Sequence, residues 1–94
     1  MKLLHTGIAG TMESGDIYVE VEQGTGGIDI DLNSTVGAQF GKQIKRVIEA
    51  ALAACGVESA TVRAVDKGAL DCTIRARITA AALRGADADT YEWR

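Results

Sequence analysis

Proline is absent, histidine occurs once, cysteine twice, and aromatic residues make up 4% of the 94 positions. Each shortage excludes something. Without proline, the turns fall to glycine, which occurs 11 times. One histidine, with no C-x-x-C and no H-x-x-x-H, removes the usual zinc-ligand spacings, and no metal is expected. Cys55 and Cys72 fall at apolar positions of the patterns described below. In a reducing compartment they are expected to be buried thiols rather than a disulfide. So few aromatics leave the core to aliphatic side chains and alanine. No apolar run approaches the length of a membrane span, and Met1 to His5 is too short for a secretory signal. A cytoplasmic protein with no membrane partner is therefore expected. Positive charge is also short: 10 Lys and Arg face 13 Asp and Glu, for a net −3. Nucleic-acid binding needs clustered positive charge, so no nucleic-acid partner is expected.

What the chain has is 47% apolar residues, enough to fold. Its length suits one domain, residues 1–94, burying roughly 60–65% of the surface of the unfolded chain. That allows a sheet and a helix or two, with little room for a deep cleft. No repeat, low-complexity tract or linker is visible. Residues 7–13 are small and apolar and fit a first strand. In 16–22, Ile17, Val19 and Val21 alternate with Tyr18, Glu20 and Glu22, the pattern of a half-buried strand. Ser14-Gly15 between these runs predicts a tight hairpin. Gly24 to Gly27 make a turn, after which Ile28, Ile30 and Leu32 alternate with Asp29, Asp31 and Asn33.

From Val36 the period changes. Val36, Phe40, Ile44, Val47, Ile48, Ala51, Leu52 and Cys55 recur at three- and four-residue spacing, one face of a helix roughly 29 Å long. Ser34 or Thr35 can cap its start, and Gly56 follows its end. Burying its large apolar side chains contributes roughly 9–18 kcal/mol before chain entropy is counted. The opposite face carries Lys42, Lys45, Arg46 and Glu49. Strand patterning returns at 59–66. After a loop at Asp66-Lys67-Gly68-Ala69-Leu70, Cys72, Ile74, Ala76 and Ile78 alternate with Thr73, Arg75 and Arg77, which predicts a further strand. A short helix over 79–85 follows, and residues 86–94 read as a frayed tail in which Tyr91 and Trp93 could dock. The order is β-β-β-α-β-β-α. Hairpin-length connections predict an α+β fold, an antiparallel sheet of about five strands packed on one long helix. Acids on the early strands (Glu20, Glu22, Asp29, Asp31) and bases on the late ones (Arg63, Arg75, Arg77) are expected to pair across strands.

Little of this is catalytic. His5 lies in an N-terminal segment expected to be mobile, away from any nucleophile. The strand carboxylates alternate as a solvated face does. No G-K-[ST] follows the 24–27 glycines, and a strand rather than a helix comes next, so neither a phosphate loop nor a dinucleotide fingerprint is present. Ser14 is different. It sits at a hairpin tip beside Gly15 and between Glu13 and Asp16, where an exposed hydroxyl suits modification by another enzyme. By pattern alone it is also an ordinary turn serine.

Four blocks in register carry a resemblance. They are Ala9-Gly10-Thr11-Met12-Glu13-Ser14-Gly15-Asp16, Gln39-Phe40-Gly41-Lys42-Gln43-Ile44, Asp66-Lys67-Gly68-Ala69-Leu70-Asp71-Cys72 and Ile74-Arg75-Ala76-Arg77. From Gly7 to Arg84 the chain resembles the acyl carrier (gamma) subunit family of citrate lyase. The resemblance implies a non-catalytic carrier. Its serine, here Ser14, would hold phosphoribosyl-dephospho-coenzyme A through a phosphodiester. It also implies three partners: a prosthetic-group transferase, an alpha subunit that exchanges acetyl for citryl and releases acetate, and a beta subunit that releases oxaloacetate. With both cysteines expected to be buried, the working thiol would belong to the arm. Lys42, Lys45, Arg46 and Lys67 are candidates, by charge alone, to contact the arm's phosphates. Fatty-acid carriers place their serine in a D-S-L motif at a helix start, which this chain lacks. The family often has a second serine or another residue where this chain has Gly15. That leaves Thr11 as the only other local hydroxyl. The alternatives are the carrier of malonate decarboxylase, disfavoured by the E-S-x-D and D-K-G-A-L-D-C blocks, an unmodified assembly subunit, and a stand-alone hydrolase.

Overall fold

The computed structural model describes residues 2–86. The elements are β1 (Gly7–Ala9), β2 (Ile17–Gln23), β3 (Ile28–Ser34), α1 (Gly37–Ala54), β4 (Ala60–Asp66) and α2 (Asp71–Gly85). The strands form one mixed sheet in the order β1-β2-β4-β3. β2 pairs antiparallel with β1 and with β4, whereas β3 runs parallel to β4. α1 is the crossover that a parallel β3–β4 pair requires.

The expected strand order fails here. β2 and β3 are joined by a short connection but are not neighbours, because β4 lies between them. The connection need only cross two strand spacings, roughly 10 Å, which a few extended residues can do. Gly24 makes the crossing possible, since a Cβ there would stand 2.8 Å from the amide nitrogen of Ala60, at the start of β4.

The second correction is the segment from Asp71 to Gly85. It is one continuous helix, not a strand over 72–78 followed by a short helix, so the sheet has four strands and not five. The buried residues are Ile74, Ile78, Ala81, Ala82 and Gly85, a 3.6-residue period that shares Ile74 and Ile78 with the alternating reading. Alanine and arginine favour the helix. Arg75 and Arg77 are therefore helical and take no part in cross-strand pairs. Among the expected charge pairs, Arg63–Glu20 forms at 3.5 Å, on adjacent strands in register. The arginine is largely exposed, so the pair contributes little.

Ile17, Val19 and Val21 of β2 and Ala60, Val62 and Ala64 of β4 are buried beneath Ile44, Ile48, Leu52, Ile74 and Ile78 of the two helices. The opposite sheet face is open. α1 begins at Val36 without a side-chain cap, and Ser34 Oγ instead accepts from the Val36 amide at 3.1 Å. Phe40, placed by its period on the buried face, is 51% exposed. The cysteines also depart from expectation: Cys55 is half-buried and Cys72 is exposed, both free. The N-terminal segment is tied down. Leu3 is buried, and the amides of Leu4 and His5 donate to Gly85 O at 2.9 Å. The expectations for the tail beyond Ala86, Tyr91 and Trp93 included, lie outside the described residues.

Candidate functional site

β1 ends at Ala9, and Gly10–Asp16 lead into β2, so Ser14 lies between two paired strands as expected but in a longer connection than a two-residue hairpin. The Asp16 amide donates to Glu13 O at 3.1 Å, closing a turn over Glu13–Asp16. Gly15 takes φ +84° at the third position, the conformation of a type II turn that favours glycine. Ser14 is exposed, and a Cβ built on Gly15 would meet nothing within 4 Å. The backbone next to Ser14 is thus unobstructed.

The turn is braced from three sides. Its backbone is stitched to the loop after β4: the Gly15 amide donates to Lys67 O at 2.7 Å, and the Lys67 amide donates to Asp16 O at 2.9 Å. Thr11 Oγ1 accepts from the Glu13 amide at 3.2 Å and donates to Asp16 Oδ2 at 2.7 Å. From α2, Arg77 grips the Asp16 carboxylate with both ends of its fork, Nε to Oδ1 at 3.0 Å and Nη2 to Oδ2 at 2.8 Å. Such bidentate pairs fix orientation as well as add energy. These contacts hold the Asp16 carboxyl well below the usual carboxylate range, the Arg77 hydrogen bond first and the Thr11 hydroxyl second, and they raise Arg77 in turn.

Asp66 anchors the neighbouring loop. It is 1% exposed and accepts from Ser34 Oγ at 2.8 Å, from the Gly68 amide at 3.2 Å and from the Ala69 amide at 3.0 Å. The loop that pins the Ser14 turn is thus pinned itself by a buried carboxylate.

The four basic candidates separate. Lys67 follows Asp66, with its backbone against the Ser14 turn. Lys42 and Lys45 meet in a groove between β3 and α1, and Arg46 faces the α2 side with Arg75. His5 is at the far end of β2, where neighbouring Thr6 bonds Glu22. The sequence reading missed Arg77 as a brace and Asp66 as an anchor. Arg77 stands 61 residues from Asp16, and no local pattern links the two.

Because a depressed carboxyl stabilises the fold above its unfolded value, about 3.9, the Asp16–Arg77 contribution is complete at neutral pH and fades as pH falls through the lower folded value. Arg77→Ala is therefore expected to lower the melting temperature by roughly 5 °C at pH 7. The gap to the parent should begin to narrow below about pH 4 and close only as pH falls through the lower folded value. Thermal melts across pH check this, and a gap that stays constant into strong acid would show that the pair is not its source.

The described residues thus form a two-layer α+β body, a mixed four-stranded sheet under two helices, with an exposed serine on a braced turn. The family model described as "ACP: Malonate decarboxylase delta subunit (MdcD)" matches residues 4–85. The citrate lyase acyl carrier protein of Streptococcus uberis is 51% identical over 94 residues, covering 100% of this chain and 93% of that one. Those of Lacticaseibacillus casei and Pectobacterium carotovorum are 50% and 47% identical, covering 99% of this chain and 92% and 97% of theirs. The chain belongs to this acyl carrier family, alongside the citrate lyase acyl carrier proteins. One chain of a Pseudomonas malonate decarboxylase hetero-tetramer shares the fold at TM-score 0.66 and 21% identity, covering 89% of this chain and 82% of that one.

Proposed function

We propose that this chain is the acyl carrier subunit of citrate lyase and that Ser14 is the residue carrying its prosthetic group, phosphoribosyl-dephospho-coenzyme A, through a phosphodiester. The observation that carries the reading is the exposed Ser14 hydroxyl on a turn held by Lys67, Thr11 and Arg77, in a chain with relatives of that name at 46–51% identity. The group supplies a thiol on which acyl groups travel as thioesters. The protein's own residues do no bond-breaking. They fix the point of attachment and leave the space beside Gly15 open, so that the tethered group reaches the alpha and beta subunits at raised effective concentration. A dedicated transferase would load Ser14, and the complex would work in the cytoplasm.

Exposed Cys72 removes the argument that the working thiol must belong to the arm because the chain has none accessible. The test must therefore separate the two. Intact mass of the chain purified with its natural partners, followed by peptide mapping under reducing conditions, is expected to show a gain equal to the prosthetic group on the Ser14 peptide. An active citrate-cleaving complex with unmodified Ser14 would sink the carrier reading and favour an assembly subunit. The malonate decarboxylase reading has in its favour the family description and the shared fold. It predicts a malonyl group on the arm and turnover of malonate by the reconstituted complex.

A further inference from the structure

Between the edge of β3 and the first turns of α1 runs a groove of about 450 Å³, bordered by Asn33, Ser34, Gly37, Gly41, Lys42 and Lys45. Among the described residues, no acidic side chain lines it. We propose that this groove seats the phosphate-bearing part of the arm held on Ser14. The inference rests on the reading of Ser14 as the attachment site and adds a place where the arm docks on its own carrier.

Gly41 sits at this groove. It lies inside α1, where glycine is poorer than alanine because it gives up more backbone freedom. A packing role would offset that loss, yet a Cβ on Gly41 would meet nothing within 4 Å. No neighbour among the described residues demands glycine there. What the missing side chain does is keep the groove floor open. One turn earlier, a Cβ on Gly37 would approach only the Ser34 Cβ, at 3.4 Å.

The groove is also positively charged. Lys42 and Lys45 both border the groove on a chain of net charge −3. The open sheet face displays Glu20, Glu22, Asp29 and Asp31, so an anionic arm is repelled from that face and drawn to the lysines. The ammonium groups of Lys42 and Lys45 and the side-chain amide of Asn33 are donors that suit phosphate oxygens, which accept several hydrogen bonds at once.

Ser14 and the groove stand at the same end of the sheet. Gly15 is bonded to Lys67, the preceding Asp66 is bonded to Ser34, and Ser34 borders the groove. The path crosses two strand spacings, roughly 10 Å, less than an extended nucleotide-pantetheine arm. A tether of that kind supplies an effective concentration in the millimolar range, so a weak site suffices. With the phosphates seated, the attachment end is held and the thiol end stays free to visit partners.

The test compares amide NMR spectra of the full chain before and after loading by the transferase, with intact mass recorded on the same samples. The amides of Gly37, Gly41, Lys42 and Lys45 are expected to shift together with those of residues 13–16. In Gly41→Leu, which keeps the helix and fills the groove, the mass gain should persist while the groove shifts fall at least fivefold. Lys42→Gln with Lys45→Gln should do the same. Gly41→Ala should melt higher than the parent, as an unpacked helix glycine predicts. A loaded chain with shifts confined to the Ser14 turn overturns the groove and leaves the carrier reading standing. A Gly41→Leu chain with undiminished groove shifts also overturns it, as does a lower melting temperature for Gly41→Ala. No mass gain on Ser14 removes both readings.

Discussion

Ser14→Ala is expected to leave the fold unchanged, abolish loading by the transferase and reduce citrate cleavage by the reconstituted complex to background. The fold should survive because Ser14 is exposed, and surface substitutions away from packed or bonded features usually stay within about ±0.5 kcal/mol. The loss should be complete because no nearby hydroxyl can take over. Thr11 is close in sequence, but its oxygen donates to Asp16 and accepts from the Glu13 amide. Detaching it for modification would dismantle the turn it helps to form. Cys72 could take an adventitious adduct, but a disulfide adduct leaves under reductant, whereas a phosphodiester does not. Intact mass before and after reduction, a thermal melt and a citrate-cleavage assay together check the prediction. A Ser14→Ala chain that still gains the full prosthetic-group mass under reducing conditions would move the attachment site elsewhere.

The sequence was most legible where one face of an element meets solvent and the other meets the core. β2, β3 and β4 alternate because each has a covered and an open face, and α1 shows its helical stripe for the same reason. α2 was misread because its buried set depends on small residues. Ala81, Ala82 and Gly85 carry the helical period but add little to an apolar pattern, while Ile74 and Ile78 satisfy both templates. Strand order was illegible for another reason. Connection length limits which strands can be neighbours but does not choose among them; the α1 crossover permits β4 to run parallel to β3, yet no local pattern marks its place between β2 and β3.

The site divides along the same line. The exposed position of Ser14 follows from local turn chemistry, glycine after serine between two strands. Its supports come from distant segments. Once residues 72–78 are helical, Arg77 points from α2 onto Asp16, a meeting that an outward-facing strand position would not produce. Asp66 read as the first residue of a polar loop. An aspartate just ahead of Lys67-Gly68-Ala69 is a signal for a side chain bonding the following amides, but its burial depends on Ser34 of β3 reaching it in the parallel pair.

That anchor is where a change far from the hydroxyl should cost most. Asp66→Ala removes an acceptor for three donors at once, the Ser34 hydroxyl and the Gly68 and Ala69 amides, at a position 1% exposed. Hydrogen bonds to charged groups contribute about 1.5–3 kcal/mol each, and orphaned buried donors carry a desolvation cost. Since water can enter to satisfy some of them, a net loss of about 3 kcal/mol is expected. For a chain of this length that lowers the melting temperature by on the order of 15 °C. Asp66→Asn keeps the shape and one acceptor oxygen and should cost about 1 kcal/mol. The functional effect follows from the backbone. Lys67 exchanges hydrogen bonds with Gly15 and Asp16, so freeing the 66–70 loop loosens the turn that presents Ser14. Loading of Asp66→Ala by the transferase should then slow even at temperatures where the chain is fully folded, whereas Ile48→Ala, chosen to lose comparable stability from the core, should load at the parent rate under the same conditions. Urea melts and loading rates measured on both variants decide the matter. Equal slowing in the two would mean that Asp66 acts only through global stability, and a melt of Asp66→Ala within 2–3 °C of the parent would refute its role as anchor.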